Sequence, residues 1–289
     1  MKNSTPCKGK PSLKTAFSIL DTAVKNGINT LDTAAGYGDS EEVIGKWLKT
    51  KPESEHPFIV TKIFELDHSS LDALRKCVRE KLEESKKRLG INKIPLLMLH
   101  RADDYLNDKE NMMTVFNELK ASGDIDFSGI SVYSNHNYTE IAESGIDAVQ
   151  IPLNLFDCGQ VINGGVEKLR KAGMMIFVRS VYMQGLVFRD PYKLEDGMQF
   201  AYETLVKVHS LCDKYKLSPA ALALSYVSSI KGFTSLVLGC DNPDQVSSNV
   251  KLIEQTVQLS DEQMNEIHEA FKDSPGKLLD PSQWPKAQK

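Results

Sequence analysis

The sequence predicts an α/β protein whose short parallel strands alternate with helices, most simply a single (β/α) barrel. Three observations carry this. Short apolar runs recur along 289 residues with a helical pattern between each pair, the signature of strands buried on both faces and joined by helical crossovers. The length suits one barrel domain over 1–289, and no linker, low-complexity stretch or composition shift divides it. No G-x-G-x-x-G follows a strand, which lowers the claim of an open doubly wound sheet.

In "KPSLKTAFSILDTAVKNG", Ala16, Ile19, Leu20, Ala23 and Val24 recur at helical spacing, and Gly27 stands where a helix ends. "INTLDTA" is a short strand. "DSEEVIGKWL" reads as a helix, with Asp39 and Glu42 spaced as a capping box. "PFIVTKIF" is a strand, "SLDALRKCVREKLEESKKRLG" a long amphipathic helix and "IPLLMLH" a strand. "KENMMTVFNELKASG" is a helix, "FSGISVYS" a strand, "YTEIAESG" a short helix, "DAVQIPLNLF" a strand, "VEKLRKAG" a helix and "MMIFVRSV" a strand. A loop-rich insertion, "YMQGLVFRDPYKLEDG", precedes two helices over "QFAYETLVKVHSLCDKY" and "PAALALSYVSSI". "FTSLVLG" is the last strand, before closing helices over "NPDQVSSNVKLIEQ" and "SDEQMNEIHEAF". About seven strands result, where a barrel of this class has eight.

Composition narrows the partners. A net charge of −4, with both signs spread along the chain, argues against nucleic acid or an anionic membrane, since both reward a basic face. No apolar run approaches the roughly 18 residues of a membrane span, and the head "MKNSTPCKGKPSLK" has no apolar core of a secretory signal. The five cysteines, Cys7, Cys77, Cys158, Cys212 and Cys240, show no metal-ligand spacing and suit reduced thiols in the cytoplasm. No metal site is expected. "NST" at Asn3 and "NYT" at Asn137 read as chance glycosylation patterns.

In parallel barrels the active site lies at the C-terminal ends of the strands. The polar residues there are Asp32, Lys62, His100, Ser131, Gln150, Arg179 with Ser180, and then Gly239; Tyr37 lies in the loop after Asp32. Taken singly each has an ordinary reading: a turn cap, a snorkelling lysine, a core histidine, a packed aromatic. Together they have a chemical logic. A tyrosine is a weak acid, with an ordinary pKa of about 10. A neighbouring ammonium favours its phenolate, and a carboxylate keeps that ammonium charged. A histidine can bond a carbonyl oxygen. The set suits a reaction in which an oxygen takes a proton while its carbon takes a hydride.

"LDTAAGYGDSEEVIG", then "VTKI", then "LLMLH" resembles the aldo-keto reductases, NAD(P)H-dependent carbonyl reductases on a (β/α)8 TIM barrel, and the resemblance runs from about residue 10 to 270. It implies a catalytic tetrad at Asp32, Tyr37, Lys62 and His100. Tyr37 would be the general acid, Lys62 its activator, Asp32 the partner of Lys62, and His100 the residue orienting the carbonyl. It also implies cofactor contacts: Ser131 and Gln150 at the nicotinamide carboxamide, Arg179 where an aromatic usually stacks on the nicotinamide, Ser180 at the pyrophosphate, and Gly239, Cys240, Gln245 and Asn249 at the adenosine. Val132 stands where an asparagine is common. Asn242, Pro243 and Gln245 read as an N-cap, a first-turn proline and a capping-box partner.

Between residues 239 and 249 there is no lysine or arginine, but Asp241 and Asp244 are present. A carboxylate repels a 2′-phosphate and can accept free ribose hydroxyls, so NADH is expected to be tolerated or preferred. The implied substrate is a small-molecule carbonyl compound. The polar, aromatic-dotted loops "RADDYLNDKE", "YMQGLVFRDPYKLEDG" and "GKLLDPSQWPKAQK" suit a sugar or sugar derivative, and equally suit ordinary solvated loops. The expected assembly is a monomer or weak homo-oligomer.

Proteins of the family resembled begin with a hairpin and a first strand, and the head "MKNSTPCKGK" has no apolar run to supply them. The barrel is therefore expected to lack its first strand in this chain. Three readings stay open: a start further upstream, cover by the head or a partner chain, or a decayed or repurposed reductase. Two alternatives to the enzyme follow: a catalytically weak, nicotinamide-binding regulatory protein, and a lyase using Lys62 as a Schiff-base nucleophile.

Overall fold

A computed structural model describes residues 10–285. The elements in chain order are α1 (Leu13–Lys25), β1 (Thr30–Asp32), α2 (Ser40–Leu48), β2 (Phe58–Ile63), α3 (Leu71–Leu89), β3 (Ile94–Leu99), α4 (Asp103–Leu106), α5 (Lys109–Ala121), β4 (Ile125–Ser131), α6 (Tyr138–Ala142) and β5 (Ala148–Pro152). They continue with α7 (Gly159–Ile162), α8 (Gly165–Lys171), β6 (Met175–Arg179), α9 (Tyr202–Tyr215), α10 (Pro219–Ser229), β7 (Ser235–Leu236), α11 (Pro243–Glu254), α12 (Asp261–Phe271) and α13 (Gly276–Leu279). The "YMQGLVFRDPYKLEDG" insertion between β6 and α9 holds only short 3-10 turns. Among the described residues, seven strands follow chain order in one parallel sheet, the α/β arrangement expected. The head "MKNSTPCKGK" and Cys7 lie, apart from Lys10, outside the described residues.

The chain forms two compact units, each assembled from separate stretches. Of the described residues, one comprises 10–132, 141–150 and 239–250; the other comprises 133–140, 151–238 and 251–285.

In the first unit, β1 to β5 are parallel neighbours. From Ile59 to Ile63 every residue of β2 is buried, Thr61 and Lys62 among them, as is every residue from Leu96 to Leu99 of β3; strands covered on both faces are buried in this way. The helix ends follow local chemistry. The Ser12 hydroxyl accepts from the Thr15 N–H, and that of Ser70 from the Ala73 N–H. Gly90 closes α3 in the left-handed region at φ 69°. Helices α2 and α3 approach so closely that a Cβ on Gly45 would lie 2.2 Å from the Arg88 carbonyl oxygen. Buried Glu41 ties this corner together, accepting from Thr61 Oγ1 at 2.5 Å and Arg88 Nε at 2.6 Å. Asp147, just before β5, does the same for β4. It accepts from the Ser128 N–H (2.8 Å), the Ser128 hydroxyl (2.7 Å) and Lys120 Nζ (3.0 Å).

In the second unit, β6 pairs with β7. Helices α9, α10 and α12 bury Leu205, Val208, Leu222, Leu224 and Ile267, and Phe156 meets Phe271 edge to face at 5.6 Å. Ser218 with Pro219 starts α10, and Ser260 with Gln263 forms a complete capping box on α12.

Two local expectations fail. Asp39 does not cap α2, because its carboxylate is drawn to Lys10 instead. "FTSLVLG" yields a strand of only Ser235–Leu236, although the Thr234 N–H donates to the Ile176 carbonyl and the Val237 N–H to that of Val178, at 2.8 and 2.7 Å.

Candidate active site

The loop after β1 is built by the neighbouring strand. Beyond Asp32 the backbone continues along β2, with the Thr33 N–H on the Val60 carbonyl (2.8 Å) and the Ala35 N–H on that of Lys62 (3.0 Å). Two turns follow: the Tyr37 N–H donates to the Ala34 carbonyl at 3.0 Å and the Ser40 N–H to that of Tyr37 at 3.1 Å. Gly36 lies close under Phe64, where a Cβ would stand 3.1 Å from the ring's Cε1. Gly38 takes φ +59°, which a side chain rarely adopts. This presents Tyr37 half-exposed at the C-terminal edge of the strands.

Lys62 is wholly buried on β2. Its ammonium lies 2.7 Å from both carboxylate oxygens of Asp32 and 3.0 Å from the Thr33 carbonyl. The same Nζ is 5.1 Å from the centre of the Tyr37 ring. His100 follows β3, fixed by its N–H on the Ile63 carbonyl at 2.8 Å. Its ring meets Tyr37 edge to face at 5.4 Å and Phe64 at 5.9 Å. The four residues from three separate strand ends are thus in one cluster. Burying Lys62 alone would carry a desolvation cost of several kcal/mol, and the Asp32 pair offsets it.

Gln150 belongs to this cluster too: its Nε2 donates to Asp32 Oδ1 at 2.8 Å. Ser131 is its partner in the register of β4 and β5, and both side chains are buried. Two buried polar side chains on adjacent strands are a chemistry that fits an amide ligand. Val132 donates its N–H to the Gln150 carbonyl at 2.9 Å.

Gly239 is exposed, with open space where a Cβ would stand. At the start of α11, the Asn242 side chain accepts from the Gln245 N–H at 2.9 Å, and Gln245 Oε1 accepts from the Asp241 N–H at 2.6 Å. The N-cap bond of the expected box forms, but Gln245 reaches back to the N–H of Asp241, the residue before the cap. Asn249 Nδ2 lies 3.3 Å from Cys240 Sγ, and burial pushes the Cys240 thiol up. Asp241 and Asp244 are exposed.

In the second unit, Arg179 ends β6. Its guanidinium carbon lies 4.8 Å from the centre of the Tyr133 ring, and its Nη1 donates to Ser180 Oγ at 3.3 Å. Ser180 takes φ 64°, a left-handed conformation unusual for serine. Sequence reasoning missed Tyr133 and Asp157. Asp157 is buried, accepts from the Ser134 hydroxyl, and has its carboxyl pushed up by burial against the opposing effects of Ser134 and Arg179. The available signals were a carboxylate inside the apolar run "LNLFDC" and an aromatic two residues past Ser131.

Among the described residues no group of three metal-ligating side chains gathers, and no helix is long and apolar enough to cross a membrane. The described cysteines Cys77, Cys158, Cys212 and Cys240 are unbridged.

A parallel sheet with a Tyr, Lys, Asp and His cluster at its strand ends defines a class, and the model of the Aldo/keto reductase family matches residues 3–272, so the chain belongs to that family. An NADH-specific methylglyoxal reductase of Escherichia coli K12 is 28% identical, over 88% of this chain and 87% of the relative. Aldo-keto reductase str7 of Strobilurus tenacellus is 26% identical, over 73% and 68%. The holo form of aldo-keto reductase AKR11C1 from Bacillus halodurans superposes with a TM-score of 0.74 at 24% identity, covering 91% of this chain and 88% of that one. The family and these relatives support an oxidoreductase that reduces carbonyl compounds.

Proposed function

We propose that the chain reduces an aldehyde or ketone with NAD(P)H, Tyr37 giving the proton. The observation that carries this is the position of Lys62 Nζ, held on both oxygens of Asp32 and 5.1 Å from the Tyr37 ring. A fixed positive charge beside a phenol stabilises the negative charge left on its oxygen when the proton departs. Asp32 keeps that charge in place, and Gln150 Nε2 donates to the same carboxylate. His100, edge-on to Tyr37, is placed to donate to the carbonyl oxygen and orient it.

The nicotinamide cofactor, when bound, supplies the hydride. Ser131 and Gln150 are proposed to hold its carboxamide, Arg179 its nicotinamide ring, Ser180 its pyrophosphate, and Gly239, Cys240, Gln245 and Asn249 its adenosine. Exposed Asp241 and Asp244, with no lysine or arginine between residues 239 and 249, support NADH over NADPH. The name of the NADH-specific relative agrees with that preference. The same relative makes small 2-oxoaldehydes the first substrates to try, followed by aldose sugars.

The test is NADH oxidation, followed by the loss of its near-ultraviolet absorbance, with methylglyoxal and a panel of aldehydes and sugars, together with titration of both cofactors. Carbonyl-dependent oxidation is expected, with NADH bound at least as tightly as NADPH. Cofactor binding without turnover across the panel would reject the enzyme reading. Tenfold tighter NADPH binding would reject the cofactor preference.

A further inference from the structure

We infer that Tyr133 is a positioning residue for Arg179 and thereby sets affinity for the nicotinamide cofactor. The inference rests on the proposed role of Arg179 at the nicotinamide. Arginine has a long side chain with substantial rotamer freedom, and a planar head is useful as a stacking surface only if its plane is held.

Tyr133 supplies the holding surface. The guanidinium carbon of Arg179 lies 4.8 Å from its ring centre, within the range of a cation–π contact. The ring is itself braced, stacking on His136 at 6.3 Å with an interplanar angle of 23°. The backbone beneath is tied down as well. The Tyr133 N–H donates to His136 Nδ1 at 2.9 Å, and the His136 N–H donates to the Tyr133 carbonyl at 3.1 Å. Gln160 Nε2 donates to the Ser134 carbonyl at 2.6 Å, and the Ser134 hydroxyl donates to buried Asp157.

So much bracing is unexpected under a tyrosine that is 62% exposed. It makes sense if the ring has to stay where Arg179 needs it. The contact uses the face of the ring, so the hydroxyl should be dispensable and the aromatic ring should not.

The experiment measures NADH dissociation constants by fluorescence for Tyr133→Phe, Tyr133→Leu, Arg179→Met and the Arg179→Met/Tyr133→Leu double variant, with thermal midpoints alongside. Tyr133→Leu is expected to weaken NADH binding about three- to tenfold, the range of a partly exposed cation–π contact. Tyr133→Phe should stay within about twofold of wild type, and the double variant should match Arg179→Met. Weakening by Arg179→Met with wild-type binding in Tyr133→Leu would overturn the inference alone. No effect of Arg179→Met would remove the cofactor role of Arg179, and the inference with it. Equal losses in the Phe and Leu variants, or additive losses in the double variant, would also overturn the inference.

Discussion

Replacing Lys62 with methionine tests the electrostatic core of the site. The side chain is wholly buried, and its ammonium holds both oxygens of Asp32 at 2.7 Å and the Thr33 carbonyl at 3.0 Å. Methionine fills similar space but leaves the Asp32 carboxylate, only 12% exposed, without its cation. Breaking one side of a buried ion pair costs roughly 3–5 kcal/mol. The Gln150 bond to Asp32 remains, which places the expected loss at the lower end, about 3 kcal/mol. Urea unfolding at neutral pH measures it as a lower midpoint with unchanged slope. Because the loss comes from a stranded charge, Asp32→Asn added to Lys62→Met should recover about half of it. A loss below about 1 kcal/mol, or a double variant no more stable than Lys62→Met, would refute the stranded-charge reasoning.

Two further substitutions probe the scaffold. Gly45→Ala would gain about 1 kcal/mol in an exposed helix, but here the new Cβ meets backbone atoms of Arg88 and Leu89 at 2.2 and 2.8 Å; a net loss of about 2 kcal/mol is expected by urea unfolding, and a stabilised variant would contradict the close approach of α2 and α3. For Asp147, burial raises the carboxyl, but the Ser128 N–H, the Ser128 hydroxyl and Lys120 outweigh it and hold it below its ordinary range. A carboxyl lowered on folding adds stability above its unfolded value, about 3.9, and loses it as pH falls through the folded value. Asp147→Asn should therefore be about 1 kcal/mol less stable at pH 7, with the gap closing as pH falls below about 3.9; a gap independent of pH would contradict this.

Much of the site is legible in the sequence because its residues sit at the ends of apolar runs, and a parallel sheet turns that position in sequence into proximity in space. Asp32, Lys62 and His100 are read this way, and Tyr37 follows from its glycine-bracketed loop. What escapes depends on partners far away in the chain. Asp39 has the right spacing to cap α2, yet Lys10, 29 positions earlier, takes its carboxylate. Tyr133 looks like an ordinary exposed aromatic until Arg179 is seen over its face. The pairing of β7 extends by single bonds at Thr234 and Val237 beyond its two strand residues, so its apolar run overstates the regular strand.

The proposed reduction turns on Tyr37 giving the proton. Its most direct test is Tyr37→Phe, assayed for single-turnover reduction of a carbonyl substrate that the wild type accepts, with NADH binding measured in parallel. Removing the hydroxyl while keeping the ring should lower the reduction rate by about 10²-fold or more and leave the NADH dissociation constant within about twofold. A reduction rate close to wild type would show that the proton comes from another group.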